Sequence, residues 1–183
     1  MRIISGQWRG RAIAAPRGDT TRPTADRTRE ALFSMLTSRL GAFDGLATAD
    51  LFAGSGALGL EALSRGAASC LFVENDKCAL DALRSNIAKL NAQGADVRAQ
   101  SVMALGAARA PLDLVMMDPP YGTGAGAVAL DKLSRLGWIG AATWISIETG
   151  AKEPVSLAGY GVDAERTYGR ARLSLLRKLS DQG

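Results

Sequence analysis

The chain has 183 residues, which is enough for one domain with a full hydrophobic core and at most a short appendage. Hydrophobic residues make up 47% of the chain and charged residues 22%, which is ordinary for a globular protein. No apolar run approaches the roughly 18 residues of a membrane span, and the start MRIISGQWRGR does not resemble a signal peptide. We therefore expect a cytoplasmic protein without a membrane partner. The chain has no histidine, which excludes a Ser-His-Asp triad, a His-ligated zinc and an imidazole base, and we expect no metal site.

Residues 1–40 are predicted to form a basic N-terminal extension, a hairpin plus a helix, that packs on the rest of the chain. They contain eight Arg and three Asp or Glu, a net charge of +5. The runs RIIS and RAIAA predict the hairpin, and an apolar stripe from Ala31 to Leu36 predicts a helix that ends near Arg39. Arg suits bidentate phosphate contacts, so this segment indicates a polyanionic partner.

Residues 41–183 are predicted to form one α/β domain. Its strand-like runs are ATADLFA, CLFVE, VRAQSV, LDLVMM and TWISIE, and helical periodicity follows at about residues 57–64, 80–90 and 128–136. Apolar strands that alternate with helices are typical of a parallel sheet covered on both faces. The last two runs, VDAERTYG and RARLSLLRK, have no helix between them, which predicts a hairpin that finishes the sheet with an antiparallel strand.

A glycine-rich loop follows the first strand of this domain. The stretch DLFAGSGALGLEA contains G-x-G-x-x-G, and Glu74 comes 20 residues after its first glycine, Gly54, a spacing typical of dinucleotide sites. However, carboxylates end four of the five strands, and residues 46–64 contain no Lys or Arg, so a diphosphate would be repelled. S-adenosylmethionine has no phosphate and a net positive charge, and the loop is therefore predicted to bind this cofactor rather than NAD.

The run LDLVMMDPPYG predicts the acceptor site. A buried strand ends in Asp118, Pro119, Pro120 and Tyr121 at the edge of the sheet where ligands bind. An exocyclic amine of a nucleobase is a poor nucleophile, because its lone pair is delocalised into the ring. If Asp118 and the carbonyl of Pro119 accept its two N–H groups, the lone pair is directed at the methyl donor, while Tyr121 stacks on the base. The motif therefore predicts methylation of an amine in a nucleic acid.

Together these motifs resemble the bacterial small-subunit ribosomal RNA guanine-N2 methyltransferases. The resemblance covers residues 2–178 and rests on RIISGQWRGR, RPTADRTREALFSML, DLFAGSGALGLEALSRGA, VEND, DPPY and YGRARLSLL. It implies an α/β, Rossmann-like class I methyltransferase with a seven-stranded sheet, which transfers a methyl group from S-adenosyl-L-methionine to the N2 amine of one guanine in 16S rRNA. The implied partner is 16S rRNA in the small ribosomal subunit or an assembly intermediate, and we expect a monomer.

The residues and the resemblance together predict three sets of site residues. The catalytic set is Asp118, Pro119, Pro120 and Tyr121. The cofactor-binding set is Asp50, Ala53, Gly54, Ser55, Gly56, Glu74, Asn75, Ser101 and Val102. The RNA-binding set is Arg9, Arg11, Arg22, Thr24, Arg27, Arg170 and Arg172.

Two departures from the family leave alternatives open. The family tends to have Phe where this chain has Tyr121, and D-P-P-Y is also common among adenine-N6 methyltransferases, so an adenine-N6 DNA or RNA methyltransferase is one alternative. The stretch QSVM offers only Ser101 and backbone groups where methyltransferases often present Asp or Asn to the cofactor's adenine. A non-catalytic RNA-binding assembly factor of the same fold is the other alternative.

Overall fold

A computed structural model describes residues 1–16, 23–153, 155 and 157–180, with the side chains of residues 23 and 24 excluded. An N-terminal hairpin, closed by a bridge between Arg2 and Ala12, precedes the first helix. The elements that follow are α1 (Pro23–Leu40), β1 (Ala47–Leu51), α2 (Ala57–Ser64), β2 (Ser69–Glu74), α3 (Lys77–Leu90), β3 (Ala95–Ala99), a 3-10 helix (Val102–Ala104), β4 (Leu114–Met117), α4 (Ala125–Arg135), β5 (Trp144–Gly150), β6 (Tyr160–Tyr168) and β7 (Ala171–Lys178).

The strands form one seven-stranded sheet in the order β3-β2-β1-β4-β5-β7-β6. The first five strands in this order are parallel, and β7 runs antiparallel to both β5 and β6. This confirms the predicted Rossmann-like sheet with an antiparallel last strand. The chain order reverses between β1 and β4, and such a switch point is where open α/β sheets bind their ligands.

Two apolar layers cover the sheet. The N-terminal hairpin, α1, α2 and α3 pack on one face, where Phe33, Leu60 and Phe72 are fully buried. Helix α4 and the 3-10 helix pack on the other face, against Val115 and Ile145. The first layer contains more elements than the second, and it brings the basic extension next to the carboxyl ends of the strands.

The N-terminal hairpin is held to α2 by polar groups that are buried in that helix. The carboxylate of Glu61, which is fully buried, accepts hydrogen bonds from the backbone N–H groups of Ile4 and Ser5 at 2.8 and 2.9 Å. Ser64 accepts from the N–H of Trp8 at 3.0 Å and donates to the carbonyl of Ser5 at 2.6 Å. The hairpin is thus docked through side chains of the core domain, which satisfy its backbone.

The structure differs from the sequence prediction at the third strand. The run VRAQSV was expected to be extended throughout, but β3 ends at Ala99 and a 3-10 helix begins at Val102. The Ser101 hydroxyl accepts a hydrogen bond from the N–H of Met103 at 3.2 Å, and such local bonds compete with a strand ladder. The last helix also begins three residues earlier than expected, at Ala125. Within the part of the chain that is described, no helix has both the length and the apolar character needed to cross a membrane.

Candidate active site

A cleft of about 790 Å³ lies at the carboxyl ends of the parallel strands. The glycine loop and Asp50 line it from β1, Asp118 and Tyr121 from the end of β4, and Glu148 from β5. Helix α1 lies on one side and the β6–β7 turn on the other. The cleft therefore brings together the predicted cofactor loop and the predicted acceptor motif, which are more than 60 residues apart in the chain.

The glycine loop turns sharply between β1 and α2. Gly54 and Gly56 have φ angles of +57° and +83°, in the left-handed region that favours glycine. Ala53, Gly54 and Ser55 line the cleft. Gly56 is not among the lining residues, and a Cβ there would lie 2.3 Å from Cδ1 of Leu83, so packing also requires glycine at this position.

Asp50 is buried beneath this loop. Its Oδ2 accepts a hydrogen bond from the N–H of Gly59 at 2.8 Å, which ties α2 to the end of β1. Burial raises the pKa of Asp50 well above its usual range, and the charges of Asp118 and Glu74 raise it further. The site therefore holds a carboxylate whose negative charge is poorly compensated, which is an environment that attracts a cationic ligand.

Glu74 holds the rim of the glycine loop from the end of β2. One carboxylate oxygen accepts from the N–H of Gly54, and the other accepts from the N–H groups of Asn75 and Asp76, each at 2.8 Å. Two carboxylate oxygens offer about four acceptor positions, so a ligand hydroxyl can still be bound. Glu74 thus shapes the loop as well as being a candidate ligand contact.

Glu74 and the remaining predicted cofactor residues are not among the residues that line the large cleft. Asn75 is exposed after β2, Ser101 is exposed after β3, and Val102 is buried. These positions follow strands on the far side of β1 from the acceptor loop, because the sheet order is β3-β2-β1-β4. A ligand that reaches from Glu74 across the glycine loop to Asp118 would therefore span the switch point.

The carbonyls of Pro119 and Pro120 in the acceptor loop, residues 118–123, differ in their hydrogen bonds. The carbonyl of Pro120 accepts a hydrogen bond from the Thr123 hydroxyl at 2.8 Å. In the described part of the chain no donor reaches the carbonyl of Pro119, the residue that packs under the loop. A Cβ at Gly126 would lie 2.5 Å from Cδ1 of Ile147 and 3.2 Å from Cγ of Pro119, so the glycine lets α4 approach β5 and this loop closely. Pro119 and Pro120 line a second, small cavity of about 90 Å³ between this loop and β5.

Two glutamates hold the acceptor loop against β5. The Tyr121 hydroxyl donates a hydrogen bond to Oε1 of Glu148, and the N–H of Gly122 donates to Glu153. Partial burial raises the pKa of Tyr121, and the bond to Glu148 raises it further, so the phenol remains protonated. The ring of Tyr121 is 47% exposed and is available for stacking.

Sequence reasoning missed one cation at the cleft. Arg29 is only 5% exposed and lines the cleft from α1, although Arg22 and Arg27, and not Arg29, were the predicted site residues near this helix. Its guanidinium donates to the carbonyl of Arg2 and to Asp26, while its Nε has no hydrogen-bond partner among the described residues. The periodicity of α1 placed Arg29 close to the apolar stripe, which was the available signal.

The predicted RNA-binding residues fall into separate regions. Arg170 is exposed and lines the cleft at the β6–β7 turn, and Arg27 is exposed on α1. Arg9 and Arg11 are exposed on the N-terminal hairpin, whose tip contacts Ser64 at the far end of α2. Arg172 is half-buried, and its guanidinium donates to the carbonyls of Ala151 and Glu153. Arg22 and the side chain of Thr24 lie outside the described residues.

Comparison with known structures defines the class of protein. A magnesium protoporphyrin IX methyltransferase from Synechocystis, solved with bound S-adenosylmethionine, has a TM-score of 0.67 at 14% identity over 88% of this chain and 86% of that one, which shows a shared fold alone. The solved structure of yhhF from Escherichia coli has a TM-score of 0.84 at 35% identity over 99% of both chains. The chain is thus a class I methyltransferase, with the fold of the S-adenosylmethionine-dependent enzymes.

The sequence comparisons narrow this class to a family. A family model described as "Conserved hypothetical protein 95" matches residues 1–177. The ribosomal RNA small subunit methyltransferase D of Escherichia coli (strain K12) is 36% identical over 181 residues, which cover 97% of this chain and 90% of that protein. The chain belongs to this family, as the motifs predicted.

Proposed function

We propose that the protein transfers a methyl group from S-adenosylmethionine to the N2 amine of a guanine in 16S rRNA. One observation carries this proposal: Asp118 lines the cleft that the glycine loop enters, and directly after it comes the carbonyl of Pro119, to which no described residue donates a hydrogen bond. The family supports the RNA substrate, because its curated relatives are named for methylation of small-subunit ribosomal RNA. We propose that a monomer acts on the small subunit or on an assembly intermediate.

The donor set fits S-adenosylmethionine. When bound, this cofactor supplies an electrophilic methyl group on a sulfonium, together with an ammonium, a carboxylate and two ribose hydroxyls. Asp50 would face the positively charged sulfonium and ammonium, and Glu74 would accept hydrogen bonds from the ribose hydroxyls. Arg29 is the one strongly buried Arg or Lys among the described residues, and its guanidinium would form an ion pair with the carboxylate of the cofactor. A dinucleotide would bring two phosphates into a site that has more carboxylates than cations.

The acceptor loop would orient and activate the target amine. Asp118 and the Pro119 carbonyl accept its two N–H groups, and this favours a geometry in which the nitrogen lone pair points at the methyl group. The exposed ring of Tyr121 offers a stacking face for a base that has left its helix. The methylated amine is a strong acid until it loses a proton, so solvent or a carboxylate can accept that proton without a histidine.

The test is a methylation assay with product identification. The protein is incubated with labelled S-adenosylmethionine and either small subunits or free 16S RNA from a strain that lacks the gene, and the labelled nucleoside is identified. We expect N2-methylguanosine at one position. Asp118→Ala should lower turnover by at least about 100-fold, the size of a lost electrostatic contact to a transition state, and should leave cofactor binding largely intact.

The matched control is Asp131→Ala, which removes an exposed carboxylate on α4 at the opposite face of the sheet. It should methylate at the wild-type rate. Labelled N6-methyladenosine as the product would refute the proposed base, and an Asp118→Ala enzyme with undiminished turnover would refute the proposed role of the acceptor loop.

A further inference from the structure

Asp118, directly after β4, and Glu148, in β5, occupy adjacent backbone positions in the register of the sheet. Strands β4 and β5 are parallel, and Met117 pairs with Ile147 in their register. The residues that follow this pair are Asp118 and Glu148, on backbones separated by about 4.8 Å. Both residues line the large cleft. A base whose amine is bound by Asp118 would therefore have Glu148 beside its adjacent ring nitrogen.

Glu148 is held in this position by Tyr121. The Tyr121 hydroxyl donates to Oε1 of Glu148, and this is the only hydrogen bond that the described residues make to the Glu148 carboxylate. The second oxygen, Oε2, is left to accept a bond from a ligand. Glu148 is only partly buried, and its pKa is raised mainly by that burial, as expected for a carboxylate in an incompletely satisfied site.

Guanine and adenine differ at the atom that Glu148 would meet. Beside its N2 amine guanine carries N1–H, which is a hydrogen-bond donor, whereas adenine carries a bare N1 lone pair beside its N6 amine. A carboxylate attracts the first and repels the second. A site built to bind a donor also rejects an analogue that lacks it, because a buried polar group is then left unpaired.

We propose that Glu148 is a specificity-determining residue that accepts the N1–H of the target guanine and thereby selects guanine over adenine. The proposal rests on the function proposed above and extends it from the reaction to the choice of base. It also gives a role to the Tyr121 hydroxyl, which orients the selecting carboxylate.

The first experiment compares two variants on small subunits from a strain that lacks the gene. Glu148→Gln keeps the size of the side chain and an acceptor for Tyr121, but it removes the charge. We expect kcat/KM for guanine methylation to fall about 10- to 100-fold, which is the range for the loss of one specific hydrogen-bonded contact to a base. Tyr121→Phe removes only the hydroxyl and should lose less. Asp96→Asn, which changes an exposed carboxylate on edge strand β3, should match the wild type.

The second experiment changes the base instead of the protein. Small subunits are reconstituted with 16S RNA in which 2-aminopurine replaces the methylated guanine. This base keeps the 2-amino group but has a lone pair at N1. The wild type should prefer guanine over 2-aminopurine by about 10- to 100-fold, and this preference should shrink severalfold in Glu148→Gln, because the amide can donate to N1.

The outcomes separate this proposal from the proposed function. If the wild type makes N2-methylguanosine but methylates 2-aminopurine equally well, or if Glu148→Gln keeps the wild-type preference, only the role of Glu148 is overturned. If the wild type makes N6-methyladenosine or no methylated nucleoside, the proposed function is overturned and the role of Glu148 falls with it. Binding of S-adenosylmethionine by each variant, measured by calorimetry, shows that the protein is folded.

Discussion

The burial of Asp50 costs stability, and the same carboxylate has a proposed role in binding S-adenosylmethionine. Burial raises the pKa of Asp50 above the ordinary value of 3.8, so its ionised form is less favourable in the folded protein than in the unfolded chain. The folded state therefore binds more protons than the unfolded state over this range, and stability falls as the pH rises from about 3.8 through the raised pKa. Asp50→Asn keeps an oxygen that can accept from Gly59 and removes the titration. We expect the variant to be more stable at neutral pH, with an advantage that disappears in acid, as measured by denaturant unfolding at several pH values.

The same change should weaken cofactor binding. The ammonium and sulfonium of S-adenosylmethionine lose one favourable charge, which we expect to raise Kd at least about tenfold, equivalent to about 1.4 kcal/mol. Asp113→Asn is the matched control, because Asp113 also accepts from a backbone amide, that of Ala47 at 2.8 Å, but is exposed at the opposite end of the strands. Asp113→Asn should leave Kd unchanged. An Asp50→Asn protein that is both less stable and normal in binding would contradict this account.

At the scale of elements, Glu61 determines whether the N-terminal hairpin stays docked. Besides the amides of Ile4 and Ser5, its carboxylate accepts from the guanidinium of Arg65 at 2.9 Å. Glu61→Ala would leave two amides and one cation without their partner, which we expect to cost about 2–4 kcal/mol of unfolding free energy. Hydrogen exchange should show lost protection of the Ile4 and Ser5 amides, while the amides of β1 and β4 stay protected up to the lowered free energy of global unfolding.

The control for this change is Glu30→Ala, which removes an exposed carboxylate from the outer side of α1. We expect it to change stability by less than about 0.5 kcal/mol, the usual limit for surface substitutions. Unaltered protection of the hairpin in Glu61→Ala would mean that apolar contacts of Ile3 and Trp8 suffice for docking.

The elements themselves were predictable because their signals are local. The boundaries of α2 were predicted correctly, and the parallel sheet followed from the alternation of apolar runs with helices, which placed Asp50 and Asp118 at one edge. The packing of the hairpin on the core was expected, but the contacts that dock it were not predictable, since Glu61, Ser64 and Asn86 bind segments 56 to 72 residues away. The signal was present as buried polar residues in otherwise apolar helices, but periodicity does not identify their partners. The hydrogen bonds from Arg172 to the carbonyls of Ala151 and Glu153 were not predictable for the same reason.

At the scale of the whole molecule, cations from both basic ends of the chain line the cleft: Arg29 from helix α1 and Arg170 from the β6–β7 turn. Helix α1 and strand β6 are joined by an ion pair between Arg39 and Asp163 at 2.9 Å. By sequence, residues 1–40 carry a net charge of +5 and residues 164–183 one of +3, whereas residues 41–163 carry −4. A positive rim around a negative cleft can hold RNA phosphates outside while the cofactor binds inside.

This charge arrangement predicts that distance from the cleft ranks the RNA contacts. Arg170→Ala should weaken binding to small subunits or 16S RNA and reduce the slope of log K against log salt by about 1, the loss of one phosphate contact. Arg109→Ala is the control, because Arg109 is exposed in the loop before β4, at the opposite end of the strands. Arg9→Ala should have a smaller effect than Arg170→Ala, since the hairpin tip lies beside Ser64, about 12 Å along α2 from the glycine loop. The check is a salt titration of the three variants. Equal slopes for Arg9→Ala and Arg170→Ala would show instead that the RNA extends along α2 and covers the hairpin, which would make the N-terminal extension part of the primary footprint.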